Sequence, residues 1–213
     1  MLYSYTSVGT FQSLVMAKWL IQNAVPRTLH PWTNERCNLV FVDAAAESSE
    51  KAGTQVVTVG GVLFSPRLDC PEFFGFTVTA DIVSHWQSSG SKQVVGQGEL
   101  FPVWISKRVW KEVLSHSRNL WFIDNESARE GYVRSYSPSW SSREILLVAK
   151  AEDMKSSSVD WYSRVPTSAN WADGPSRLDY REVLEIGGKH IEVSCPALSE
   201  FSGLDILKML HAI

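Results

Sequence analysis

The spacing of apolar and polar positions changes several times along the chain, and each change marks an element boundary. Over residues 11–25 (FQSLVMAKWLIQNAV) apolar groups recur at helical spacing until Pro26, which predicts a packing helix. Residues 38–47 (NLVFVDAAAE) form a short apolar run of strand character, with Asp43 at its end. A polar segment, SSEKAGT, leads to a second strand over 55–64. Residues 65–69 then turn into a third strand over 72–79. Such short connections predict an antiparallel meander. The Gly60–Gly61 pair in the second strand predicts a bulge or a close backbone approach.

Beyond Ala80 the period lengthens. A short helix over 81–87 and the loop SSGSK precede an amphipathic helix over 100–114, with Pro102 in its first turn and Glu99 at its start. Residues 120–123 (LWFI) give a fourth strand, and NESARE opens a helix to about residue 136. After the SPSWSS loop a helix runs over 143–154, and 159–165 (VDWYSRV) alternates as a fifth strand. Residues 170–178 are helical only before Gly174 and Pro175. The tail holds a strand over 190–194 and a last helix over 201–211. This order predicts an α/β fold: one five-stranded mixed sheet, three antiparallel strands followed by parallel additions, with helices on both faces.

Composition narrows this picture modestly. A chain of 213 residues can bury roughly 70% of its extended surface, enough for one core without disulfides or a structural metal. No stretch approaches the ~20 uninterrupted apolar residues of a membrane-spanning helix, so no membrane partner is expected. Cys37, Cys70 and Cys195 are odd in number and widely spaced, which argues for a reducing, intracellular compartment, cytoplasmic or nuclear. A net charge of −3 does not advertise a general grip on phosphates, so any nucleic-acid contact must be local. The basic group Lys107, Arg108, Lys111 and Arg118 is the local candidate. Lys107, Arg108 and Lys111 recur with Trp104 at spacings of three and four and can share a helix face. The plainer alternative is that the tryptophans pack in the core and the basic groups are a solvated face.

The acids carry the chemistry. LVFV ends in Asp43 and LWFI ends in Asp124, and an ionised carboxylate at the edge of a core is costly unless paired or bound to a cation. If the first and fourth strands lie side by side the two aspartates meet, and Glu99 and Asp173 can complete the group. Like charges so close raise one another's pKa, and magnesium relieves this because it takes oxygen ligands. Two such ions about 4 Å apart activate a water and stabilise a departing oxygen in phosphodiester hydrolysis. Against this, most of the 23 acidic residues must be solvated surface groups, and a strand-end aspartate can simply cap the next turn.

The succession LVFVDAAAE, GQGELFPV, LWFIDNESA and SANWADGPSR resembles the four motif blocks of the ribonuclease H domain that accompanies reverse transcriptase in retroelements. The likeness spans residues 38–178, and its most distinctive part is N-x-x-A-D-G-P-S-R. It implies a ribonuclease H-like fold, endonucleolytic cleavage of the RNA strand of an RNA–DNA hybrid, and two magnesium or manganese ions held by Asp43, Glu99, Asp124 and Asp173. Asn125 and Asn170 match supporting positions beside the metal acids. The family's frequent loop histidine before the last aspartate is missing; Ser141, Ser142, Arg143 and Glu144 are the substitutes considered for that loop. The segment up to about Thr33 resembles the connection to a polymerase domain, making a reverse transcriptase domain an expected partner. The chain thus divides into an N-terminal helical extension (1–37), the ribonuclease H-like domain (38–178) and a C-terminal extension (179–213).

By analogy with the family, Ala44 to Glu47 and Gly98 would read the RNA 2′-hydroxyl, while Lys107, Arg108 and Lys111 would meet phosphates of the DNA strand. Two other readings share the fold: a catalytically inactive module that binds nucleic acid or protein, and a nuclease acting on DNA, such as a strand-transfer enzyme or a 3′ exonuclease.

Overall fold

The computed structural model describes residues 37–49, 54–88 and 94–201, together with Lys18, Ile21 and Gln22, which are helical. The rest of the helix expected over 11–25, and the last helix expected over 201–211 beyond Phe201, lie outside the described residues. Strands β1 (Asn38–Ser49), β2 (Thr54–Phe64) and β3 (Glu72–Thr77) form the expected antiparallel meander. Strands β4 (Arg118–Ile123) and β5 (Val159–Arg164) add parallel to β1 on its other side. A two-residue strand, β6 (Lys189–His190), extends the β3 edge, so the sheet order is β5-β4-β1-β2-β3-β6. The tail strand expected over 190–194 is thus reduced to one short parallel bridge.

Alternation along the strands decides which face holds the main core. Val40, Val42, Val57, Val59 and Phe74 point to one face, and the long helices cover it. These are α1 (Ala80–Ser88), α2 (Val95–Val109), α4 (Glu126–Arg134) and α5 (Trp140–Met154), with the one-turn α3 (Lys111–Leu114) following α2. The opposite face carries Phe41, Val62 and Phe73 and, among the described residues, is covered by short pieces. They are a 3-10 turn (Thr167–Ala169), α6 (Asp173–Ser176) and α7 (Arg181–Glu185); α8 (Leu198–Phe201) is the last described helix. Residues after 178 contribute to this second core, because Tyr180 packs on Phe73 and Val183 is buried there. Among the described residues no helix is long and apolar enough to cross a membrane.

Three local expectations change. Helix α2 begins at Val95, so Glu99 sits a full turn inside it and Pro102 lies in its interior. Gly98 suits its place in the helix because the strands lie close: an added Cβ would press on Val57 at 3.1 Å and on Ala44 at 3.3 Å. Tertiary packing here overrides the poor helix propensity of glycine. Second, α6 contains Gly174 and Pro175 rather than stopping before them, since proline in a first turn forfeits no intrahelical bond. Third, Ser141, Ser142, Arg143 and Glu144 fall in the opening turns of α5 and not in the loop before Asp173.

Candidate metal centre

The parallel ladder between β1 and β4 stops at Val42–Ile123; Asp124 directly follows the end of β4, whereas Asp43 lies within β1, which pairs with β2 as far as Ser49 and does not end at the aspartate as expected. Adjacent parallel strands therefore deliver both carboxylates to one end of the sheet. Glu99 arrives from α2, which can approach closely because Gly98 lies against Ala44 and Val57. One carboxylate oxygen from each of Asp43, Glu99 and Asp124 lies within 4.8 Å of the other two. Asp43 and Glu99 are buried, at 4% and 6% exposure, and Asp124 is half-buried.

The electrostatics of this cluster are unfavourable in isolation. Burial, with smaller contributions from the charges of Asp124 and Asp173, raises Asp43 to about 7 although Ser176 donates to it. Burial and the charges of Asp43 and Asp124 raise Glu99 to about 9. Glu99 Oε2 is buried and has no hydrogen-bond partner among the described residues. An acceptor-only oxygen left in that state costs free energy unless a cation or proton reaches it. The donor set is all oxygen, which suits a hard divalent cation such as magnesium or manganese, so these residues fit the ion the sequence implies.

A second layer of contacts fixes the carboxylates. Asp43, Gly60 and Gly75 form one row across β1, β2 and β3. Over that row lies the backbone of Pro175 and Ser176. A Cβ on Gly60 would meet Ser176 N at 2.4 Å, and one on Gly75 would meet the Pro175 carbonyl oxygen at 2.4 Å. The two glycines thus form a seat for α6. From that seat Ser176 Oγ donates to Asp43 Oδ2 at 2.6 Å. The glycine at position 60 is there for a close approach, one of the two roles its sequence context predicts.

Thr167 Oγ1 donates to Asp124 Oδ2 at 2.9 Å. Asn170 Nδ2 donates to the Val42 carbonyl at 3.1 Å and its Oδ1 accepts from Ala172 N at 3.2 Å, tying the approach to α6 onto β1 one residue before Asp43. Asn125 caps α4, its Oδ1 accepting from Ala128 N at 3.0 Å, and so sets the turn that carries Asp124. Asp173 stands outside the triangle of three acids. Its Oδ1 accepts from Arg177 at 3.2 Å, although its charge still reaches Asp43.

The basic face of α2 is arranged differently from the expectation. Lys107 is 7% exposed, and its ammonium is bound by Asp153 at 2.5 Å and by Asp160, 4.7 Å from the Trp121 ring centroid. Burial would lower its pKa, but the two carboxylates outweigh that and hold it raised. Lys107 is therefore a core ion pair and no phosphate contact. Arg108 lies over Trp104 and donates to Glu200 at 2.6 Å, while Lys111 is exposed. Trp104 and Trp110 are buried, in line with the packing alternative. Gly98 is buried within α2 with its N–H donated to Val94, so it cannot read a 2′-hydroxyl.

Sequence reasoning passed over Ser176 and Thr167, and it marked Gly60 for a bulge or a close approach without pointing to α6 as the segment that approaches. The serine lies inside the quoted SANWADGPSR block, and only the register of the sheet shows what it touches.

The strand order and directions, with the long helices on one face and with Asp43 and Asp124 side by side where the ladder of the central strands β1 and β4 stops, define a ribonuclease H-like α/β fold. No protein-family model matches the chain and no curated protein does. Among solved structures, RNase H1 from the halophilic archaeon Halobacterium salinarum NRC-1 is similar at 10% identity, over 69% of this chain and 99% of that one, with a TM-score of 0.47. LC11-RNase H1, solved with an RNA/DNA hybrid, is similar at 10% identity over 69% of this chain and 99% of its own, with a TM-score of 0.46. The prototype foamy virus protease–reverse transcriptase is similar at 12% identity over 74% of this chain and 21% of that one, with a TM-score of 0.44.

Proposed function

We propose that the chain is a divalent-cation-dependent endonuclease of the ribonuclease H type, cutting the RNA strand of an RNA–DNA hybrid. The observation that carries the nuclease reading is the convergence of one carboxylate oxygen each from Asp43, Glu99 and Asp124, beside a buried Glu99 Oε2 that has no hydrogen-bond partner among the described residues. The ordered motif blocks are what favour a hybrid as substrate, and their likeness to retroelement domains favours a reverse transcriptase domain as partner.

In this reading Asp43, Glu99 and Asp124 hold the cation, with Asp173 joining them when substrate is bound. A divalent ion there supplies Lewis-acid activation of water and neutralises charge on the phosphate oxygens. Ser176 and Thr167 each donate an O–H to one carboxylate, to Oδ2 of Asp43 and Oδ2 of Asp124, and so fix its orientation. Asn170 and Asn125 hold the backbone segments from which these groups project. The buried acids exclude bulk water on the protein side, so charge interactions there are stronger than at an open surface.

The test is cleavage of end-labelled RNA–DNA hybrid, duplex RNA and duplex DNA, each with magnesium and with EDTA. Cleavage of the RNA strand of the hybrid alone, abolished by EDTA, is the expected result. Cleavage of duplex DNA would turn the assignment to a DNA nuclease. Binding of hybrid without cleavage in either magnesium or manganese would turn it to an inactive module.

A further inference from the structure

The Asp173 end of the site contains its own positive charge. Arg177 follows Asp173 by one helical turn, and its Nη2 and Nε donate to Asp173 Oδ1 at 3.2 and 3.3 Å. The backbone that sets this spacing is held from several sides. Arg177 N and Asp179 N both donate to the Gly174 carbonyl at 2.9 Å, and Leu178 closes the turn with a φ of 60°. Beneath, Pro175 and Ser176 occupy the Gly60–Gly75 seat. The guanidinium also lies in the field of Asp43 and Glu47. Its side chain is 59% exposed, so a ligand from solvent can reach it.

Three acids form the oxygen pocket, and the fourth is occupied by an arginine. An exposed pair of this kind holds by a factor of about five or less, which lets a better partner displace it. A phosphodiester is such a partner, because its two non-bridging oxygens match the guanidinium fork. A divalent cation arriving at Asp173 without a phosphate would instead face the positive charge of Arg177 directly.

We infer that Arg177 stands in for a second cation at Asp173 in the substrate-free protein. One divalent ion then occupies the pocket of Asp43, Glu99 and Asp124, and a second is admitted only when a substrate phosphate draws Arg177 away. The inference rests on the cation-site reading above and specifies how that site is loaded.

The test is a manganese titration of the metal-free full chain without nucleic acid, following free Mn2+ by electron paramagnetic resonance. The native chain should hold one ion. R177A and R177Q should hold two, the second tighter than any second ion on the native chain by up to about fivefold for the lost ion pair and up to about fivefold more for the lost repulsion. R177K, which keeps the charge, should stay at one. Near-UV circular dichroism from the buried tryptophans verifies that each variant keeps the native packing. Two ions on the native chain, a single ion on R177A and R177Q, or two on R177K would overturn the inference while leaving the cation site intact. No ion on the native chain would overturn both.

Discussion

Replacing Gly60 with alanine should damage the site from below, without touching any carboxylate. The added Cβ would lie 2.4 Å from Ser176 N, 2.6 Å from the Pro175 carbonyl carbon and 2.9 Å from Pro175 Cβ. Ordinary contact needs about 3.5 Å or more, so the backbone of α6 must lift by about 1 Å. Neither atom group is the end of a flexible side chain, so the strain cannot be relieved by a rotamer change. Overpacking of this kind costs about 1–3 kcal/mol. A lift of that size also stretches the Ser176–Asp43 hydrogen bond, now 2.6 Å, and moves Asp173 with it. Misplacement of a reacting group by about 1 Å can cost about 10²-fold in rate. Gly96→Ala is the control, because nothing lies within 4 Å of its would-be Cβ and it sits near the start of α2. That variant should gain up to about 1 kcal/mol from helix propensity. Urea denaturation and hybrid cleavage read both effects. A Gly60→Ala protein of native stability and native cleavage rate would refute the account of how α6 is seated.

Metal-free stability should fall as pH rises, because Asp43 and Glu99 keep protons in the fold that the unfolded chain releases near pH 4. Both groups contribute from about pH 4 to about 7, where Asp43 begins to ionise, and Glu99 alone continues to about 9. The unfolded state binds fewer protons over that window, so the slope is negative, at most ~1.4 kcal/mol per pH unit for each group. Urea melts in EDTA that become more stable between about pH 5 and about pH 7 would contradict this; magnesium should flatten the slope. Lys107→Met should destabilise by about 3–5 kcal/mol, since it removes the one ammonium that Asp153 and Asp160 share, leaving Asp160 without an ion-pair partner among the described residues while Asp153 keeps Lys150 at 3.3 Å. The exposed Lys111→Ala should stay within about 0.5 kcal/mol, and equal losses for the two in chemical denaturation would count against the core assignment of Lys107.

Much of the fold was legible because the apolar runs LVFV and LWFI lead into Asp43 and Asp124 and lie side by side as parallel neighbours, although β1 itself continues to Ser49. The meander followed from its short polar connections. Glu99 was found but misplaced along its helix, because Pro102 reads as a first-turn residue and two glycines precede Glu99, whereas the packing of Gly98 against Ala44 and Val57 lets the helix start at Val95. Lys107 misled for a similar reason: spacing puts it on a face with Arg108 and Lys111, and spacing cannot show that Asp153 and Asp160, some 50 residues later, meet it in the core. The seat of α6 depends on Gly60 and Gly75 lying opposite each other across β2 and β3, a fact of register that neither local segment contains. Ser176 and Thr167 were invisible for the same reason, since their partners are 133 and 43 residues away.

Asp124→Asn tests the central claim most directly, measured as magnesium-dependent hybrid cleavage beside thermal melting of the same preparation. Asparagine keeps the shape of the side chain and an acceptor for Thr167, so the melting temperature should hold within a few degrees. Cation stabilisation of the transition state is worth several kcal/mol, so cleavage should drop by at least about 10²-fold. A variant that melts like the native protein and cleaves the hybrid at the native rate would contradict the account.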